Sequence, residues 1–217
     1  MNKLYIGIDV QVRRPCAFAA LDESGTLMQS GWFPTAREGR RSLEPLAKGH
    51  RLHIGIDESR VPLAKPREWY WNGSKQEWRT RKASEKGLGR HCEVAIKAHN
   101  LANPQWTPMK KDAPGWMQLG FGLFKELDPL GTTYEAFPSA SYKMLESDPS
   151  LQLTINFSNM RLGKTDMLDA WMAAATVREY VEGRGMEVGG GDGLGTIILP
   201  RKLKKPIPNV LHWPSLG

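Results

Sequence analysis

Short apolar runs separated by turn-forming clusters dominate the first quarter of the chain. Leu4 to Val10 is apolar throughout except for Gly7 and a closing Asp9, which predicts a buried strand. Cys16 to Leu21 predicts a second strand, Asp22-Glu23-Ser24-Gly25 a turn, and Thr26 to Phe33 a third strand, together an antiparallel meander. From Thr35 to Lys48, Leu43 and Leu46 stand at helical spacing, which predicts a helix that Pro45 weakens. His50 to Asp57 follows as a strand. It ends in Ile54-Gly55-Ile56-Asp57, a copy of Ile6-Gly7-Ile8-Asp9. Two strands of one sheet joined through a helix run parallel with a right-handed crossover. The duplicated tetrapeptides are therefore expected side by side, with their acids at the same end.

The pattern is least regular over residues 60–112, where Trp69, Tyr70, Trp71 and Trp78 stand among Arg and Lys residues. A helix is predicted from about Ser84 to Leu101, and a shorter one over Gly115 to Leu127 with Met117, Leu119, Phe121 and Phe124 on it. Thr132 to Phe137 reads as a strand stopped by Pro138. Lys164 to Glu182 has the clearest helical pattern, ended by Gly183 and Gly185. A Gly-rich loop covers 189–195, Thr196 to Leu199 reads as a further strand, and 201–217 is a basic, Pro-containing tail.

With 217 residues, 40% hydrophobic and 24% charged, the chain suits one globular domain. No stretch nears the roughly 20 apolar residues that span a bilayer, so a membrane is not expected as a partner. Met1 to Lys3 lead straight into a strand and Asp9 interrupts any apolar leader, which predicts a cytoplasmic protein. The two cysteines, Cys16 and Cys92, have neither disulfide nor zinc spacing. The net charge of +7 suits an anionic partner such as nucleic acid. Residues 60–111 hold twelve Lys or Arg against four Glu, so the basic excess lies in the middle of the chain. There Lys65, Arg67, Lys75, Arg79, Arg81 and Lys82 are expected to track a phosphate backbone while the aromatic residues stack on bases. The alternative is a solvated insertion whose rings cover the core.

The chemistry rests on the acids. Asp166 and Asp169 share one helix face, continued by Ala170, Ala173, Ala174 and Val177, small enough for close packing on a sheet. Taken alone, Asp166 as N-cap with Asp169 at N3 would be a capping box, and each strand acid would merely start a turn. Taken together, Asp9, Asp57, Asp166 and Asp169 converge where open α/β sheets bind ligands. Two like charges at 4 Å repel by about 4 kcal/mol at an effective dielectric of 20. Divalent cations with hard oxygen preferences, magnesium or manganese, remove that conflict. Two of them can activate water and stabilise the leaving oxygen in phosphodiester cleavage.

A meander, a helix, an acid-bearing strand and a late helix with D-x-x-D resemble the ribonuclease-H-like pattern and the RuvC-type resolvases. More closely, the chain resembles the predicted nucleases of domain-of-unknown-function family 429, on the stretches YIGIDV, IGIDES, GRHCE, YEAFPSAS, KTDMLDAWMAAATV and GTIILP. The resemblance implies a mixed five-stranded sheet, order 3-2-1-4-5 with strand 2 antiparallel, flanked by helices and carrying the basic insertion. It implies metal-dependent cleavage of nucleic acid by Asp9, Asp57, Glu135, Asp166 and Asp169, with Glu58 replacing Asp57 if the register slips. Asp9, Asp57, Asp166 and Asp169 would hold two magnesium or manganese ions, and Arg90 and Lys164 would contact the substrate. Apart from the resemblance, a homo-oligomer is a further expectation. Of the scattered histidines, His91 is the least unsuited to act as a base, and a hydrogen-bonding surface or core role is the expectation for each.

Two other readings remain open at this stage. An actin-like ATPase or kinase also opens with a strand ending in Asp, but Val10-Gln11-Val12-Arg13-Arg14-Pro15 makes a poor phosphate cradle. A non-catalytic module would keep the fold and use the basic middle to bind nucleic acid or protein.

Overall fold

A computed structural model describes residues 2–146, 148 and 163–214. In chain order the elements are β1 (Asn2–Asp9), β2 (Cys16–Leu21), β3 (Leu27–Phe33), α1 (Ala36–Ala47), β4 (His50–Asp57), β5 (Trp69–Asn72) and β6 (Glu77–Thr80). There follow α2 (His91–Ala98), α3 (Gly115–Leu127), β7 (Gly131–Glu135), α4 (Pro138–Leu145), α5 (Lys164–Val181), β8 (Met186–Gly189), β9 (Thr196–Leu199) and α6 (Pro208–Leu211).

Period-two alternation sorts β1 and β4 into a layered α/β architecture. Leu4, Ile6 and Ile8 of β1 and Leu52, Ile54 and Ile56 of β4 face a core closed by Leu43 of α1 and by Leu123, Phe124 and Leu127 of α3. The intervening residues face α5, where Tyr5 packs with Val177. Each fully buried Leu or Ile contributes about 1.5–3 kcal/mol, so this double-sided burial fixes the register of the two strands. Thr35 caps α1, its hydroxyl accepting from Glu38 N at 3.3 Å. Pro45 is tolerated within α1 near its end.

The chain is α/β with a mixed sheet, but among the described residues the sheet has seven strands where five were expected, in the order β3-β2-β1-β4-β7-β9-β8. β2 is antiparallel to β1, while β4 and β7 run parallel to it in succession. The extension beyond β7 is β9, joined through the single register pair Glu135 and Ile197, and then β8, antiparallel to β9. β8 is only Met-Glu-Val-Gly, too short and mixed to stand out as a strand by pattern.

The insertion is more ordered than its sequence predicts. β5 and β6 form a separate two-stranded hairpin in which Trp71 and Trp78 meet edge to face at 5.4 Å. The tail closes over it: Trp78 Nε1 donates to Asn209 O at 2.8 Å and Trp213 packs on Trp78 at 4.9 Å. The helix expected from Ser84 begins only at His91, because Gly87 and Gly89 take positive φ of 71° and 90°. It ends before Asn100, also at positive φ. Among the described residues no helix is long and apolar enough to cross a membrane.

Candidate active site

The duplicated tetrapeptide is a matched pair of strand ends. β1 and β4 are parallel and in register, so Gly7 lies beside Gly55 and Asp9 beside Asp57. Alternation points all four toward α5. A Cβ on Gly7 would lie 1.9 Å from Ala170 O and 2.3 Å from Ala174 N. One on Gly55 would lie 2.5 Å from Val177 Cγ2. Glycine in both strands thus lets the alanine face of α5 settle onto backbone, and Asp169, one residue before Ala170, arrives above the two strand acids.

Asp9, Asp57 and Asp169 line one cavity of about 600 Å³, together with Glu58 and Glu135. Asp9 is buried, with Gln11 Nε2 donating to Oδ2 at 3.0 Å. Burial first, then the nearby Asp169 and Asp166, push its pKa up to about 7 against the opposing Gln11 and Arg14. Burial and then Asp9, Asp169 and Glu58 raise Asp57 well above the ordinary carboxylate range. Asp169 is raised by burial and Asp166, less the hydrogen bond from Tyr142. Tyr142 in α4 is partly exposed, and its own pKa is raised by burial and by Asp169, Asp57 and Asp9. Its hydroxyl is a site group that the sequence reading passed over: no spacing connects it to an acid on another helix.

Asp166 does not join this group. It is buried, and Arg14 clasps it with two hydrogen bonds, Nε to Oδ2 at 2.8 Å and Nη2 to Oδ1 at 2.7 Å. Nor is it an N-cap: Gly163 holds that position at φ 37°, and a Cβ there would strike Asp166 Oδ2 at 2.3 Å. Of the D-x-x-D pair, Asp169 lines the cavity with the strand acids, and Asp166 is engaged by Arg14.

Glu135 ends β7 beside Ile56. Its Oε1 accepts from Arg60 N at 2.8 Å and from Arg90 Nη1 at 2.7 Å, while Arg90 Nη2 lies 2.7 Å from Oε2. Burial raises its pKa and Arg90 offsets part of that. Arg90, expected to contact phosphate, is instead 1% exposed. Its remaining donors reach Glu93 Oε1 at 3.0 Å, Thr107 Oγ1 at 3.2 Å and Leu194 O at 3.1 Å. Arg90 therefore clamps Glu135, the start of α2 and the Gly-rich β8–β9 loop together. Glu58 Oε1 accepts from Ser59 N at 2.6 Å, and burial raises its pKa to about 8.

Lys164 opens α5 and is exposed. His91, the candidate base, is buried elsewhere, its ring nitrogens meeting Val210 O at 2.8 Å and Gly191 N at 3.1 Å. It fastens the tail. Both cysteine thiols are free and buried.

No family model matches the chain, and no curated protein or solved structure is significantly similar to it. Function must therefore be argued from the cavity itself. Among the described residues, no three His, Cys, Asp or Glu side chains stand close enough together to grip a metal ion as they are. What the arrangement does hold is three acids on adjoining backbone elements, each with its charged form disfavoured by burial.

Proposed function

We propose that the chain is a divalent-metal-dependent nuclease on a ribonuclease-H-like scaffold, hydrolysing phosphodiester bonds of nucleic acid in the cavity between β1, β4 and α5. The in-register pairing of Asp9 with Asp57 beneath Asp169 is the observation that carries this reading. The donor set fits magnesium or manganese in hardness and charge. Carboxylates pressed together out of water stay ionised at neutral pH only beside a cation, and short side chains on strand ends and a helix can draw in around one. Asp9, Asp57 and Asp169 would hold it. When bound, it supplies acidified water and charge stabilisation at phosphorus.

The chain's own residues supply the rest. Tyr142 donates to Asp169 and fixes its orientation. Arg14 neutralises Asp166, keeping a further negative charge away from the cluster. Glu58, with a pKa of about 8, retains its proton near neutrality and adds none. Arg13 and Trp116, also on the cavity wall, offer a phosphate contact and a stacking face.

Asp9→Asn tests this reading. With manganese and labelled single- and double-stranded DNA and RNA, wild type should cleave and the variant should not, while its circular dichroism is unchanged. Full manganese-dependent cleavage by the variant overturns the assignment. The same substitution should also raise stability in chelator at pH 8. A carboxyl raised from 3.8 to about 7 on folding costs up to about 4 kcal/mol when both states are ionised. A variant that melts lower than wild type there contradicts the crowding of charge.

A further inference from the structure

The geometry points to a second ligand site, for a nucleoside phosphate, in a cavity of about 610 Å³ beneath the β5–β6 hairpin. It shares no lining residue with the acidic cavity, and its binding does not depend on the nuclease reading. Its wall carries three cations, Arg67, Lys86 and Lys97, three aromatic rings, Tyr70, Trp71 and Trp106, and no Asp or Glu. That combination suits a ligand that is both planar and anionic.

Arg67 is the anchor. Its guanidinium lies 4.4 Å from the Tyr70 ring centre and 5.2 Å from that of Trp106, so two rings hold it in place. Its buried Nε and Nη1 have no hydrogen-bond partner among the described residues. Buried donors of a charged group without an acceptor are costly, and a phosphate oxygen is the acceptor a guanidinium matches best. Lys86 and Lys97 are exposed at the edge of the same cavity, and Lys97 Nζ donates to Asn103 Oδ1 at 2.6 Å.

Three of the other cations expected to track a backbone have carboxylate partners. Lys65 pairs with Glu68 at 2.9 Å, Lys75 with Glu77 at 3.8 Å, and Arg79 with Glu85. Of the six cations expected to track a backbone, Arg67 is the one that lines this cavity. Residues 103–105 line the acidic cavity and Trp106 lines this one, so a single segment forms the partition between them. A strand crossing that partition would place one nucleotide here and its neighbour at the acids.

The test uses the whole chain in chelator, where cleavage plays no part. Calorimetry follows a nucleoside monophosphate and inorganic phosphate, and anisotropy follows a labelled single strand of about ten nucleotides. Wild type should bind nucleotide, strand or both. The paired substitutions Lys86→Glu and Lys97→Glu, both at exposed positions, should weaken binding at least tenfold and flatten the strand's salt dependence by roughly 0.7 per lysine. Binding of the mononucleotide assigns the site to free nucleotides. Binding of the strand alone assigns it to a unit of single-stranded nucleic acid. Asp9→Asn should bind the mononucleotide like wild type even if the nuclease reading fails. The proposal is overturned if neither ligand binds at about 1 mM, if the charge reversals change nothing, or if inorganic phosphate binds as tightly as the nucleotide.

Discussion

Substituting Gly7 by alanine probes the contact that assembles the acidic cavity. The added methyl would lie 1.9 Å from Ala170 O, 2.3 Å from Ala174 N and 2.8 Å from Ala173 Cβ. The first two obstacles are helix backbone, which cannot rotate away, so α5 must recede from β1 by about 1 Å or more. Overpacking a dense core costs typically about 1–3 kcal/mol, and an immovable obstacle places Gly7→Ala at the upper end, about 3 kcal/mol. That is a large fraction of a total near 5–15 kcal/mol. Gly55→Ala meets first the Val177 Cγ2 at 2.5 Å, a side chain able to yield, and should cost about 1–2 kcal/mol. Gly49→Ala meets nothing within 4 Å and should fall within about 0.5 kcal/mol of wild type. Equilibrium urea unfolding in chelator, followed by tryptophan fluorescence, ranks the three. A manganese thermal-shift series on Gly7→Ala adds a second readout, since withdrawing α5 takes Asp169 from Asp9 and should abolish the shift. If Gly7→Ala lies within 0.5 kcal/mol of wild type, or costs less than Gly55→Ala, the close seating of α5 is wrong.

Three further outcomes follow from the same geometry. Arg90→Met strands Glu93 and Glu135 as buried charges and should lose about 3–5 kcal/mol; a surface-like loss below 1 kcal/mol in urea unfolding would contradict the clamp. Glu179 accepts from Arg178 at 3.1 Å, from Arg184 at 2.7 Å and from Arg201, partners that outweigh burial and hold its pKa at about 2 against 4.5. Its folded pKa is depressed, so its stabilisation is present above pH 4.5 and lost as pH falls toward 2. Allowing for the half-exposed Arg184, this is about 2 kcal/mol. Glu179→Gln should flatten acid unfolding over that window, and an unchanged acid transition would refute the assignment. Tyr142→Phe removes the hydrogen bond to Asp169 and should weaken manganese affinity about 10–100-fold in thermal-shift titrations, with stability otherwise near wild type; undiminished affinity would remove Tyr142 from the site.

What could be read from sequence was local and periodic. The strand pattern of β1 and β4, the small-residue face of α5 and the meander all follow from spacing, and the doubled tetrapeptide placed Asp9 beside Asp57 because parallel pairing preserves register. What escaped was long-range pairing of single polar groups. Arg14 in the β1–β2 turn reaches Asp166 on α5, and nothing near either residue announces the partnership. Arg90 looked available because charge predicts exposure, whereas two glutamates and a loop carbonyl make its burial tolerable. Tyr142 sits in the first turns after Pro138, which marks a helix start without saying what the helix faces. β8 was lost for brevity, whereas its partner β9 was legible in the apolar run Thr196–Leu199.

The seat of α5 also bears on how the chain emerges from the ribosome. The surface that Gly7 and Gly55 keep flat is translated more than a hundred residues before the helix that covers it, which reaches back with Ala170, Ala173 and Val177. Until then one side of the nascent β1–β4 pair is bare backbone and aliphatic edge, the kind of surface on which chaperones act and unfinished chains stick together.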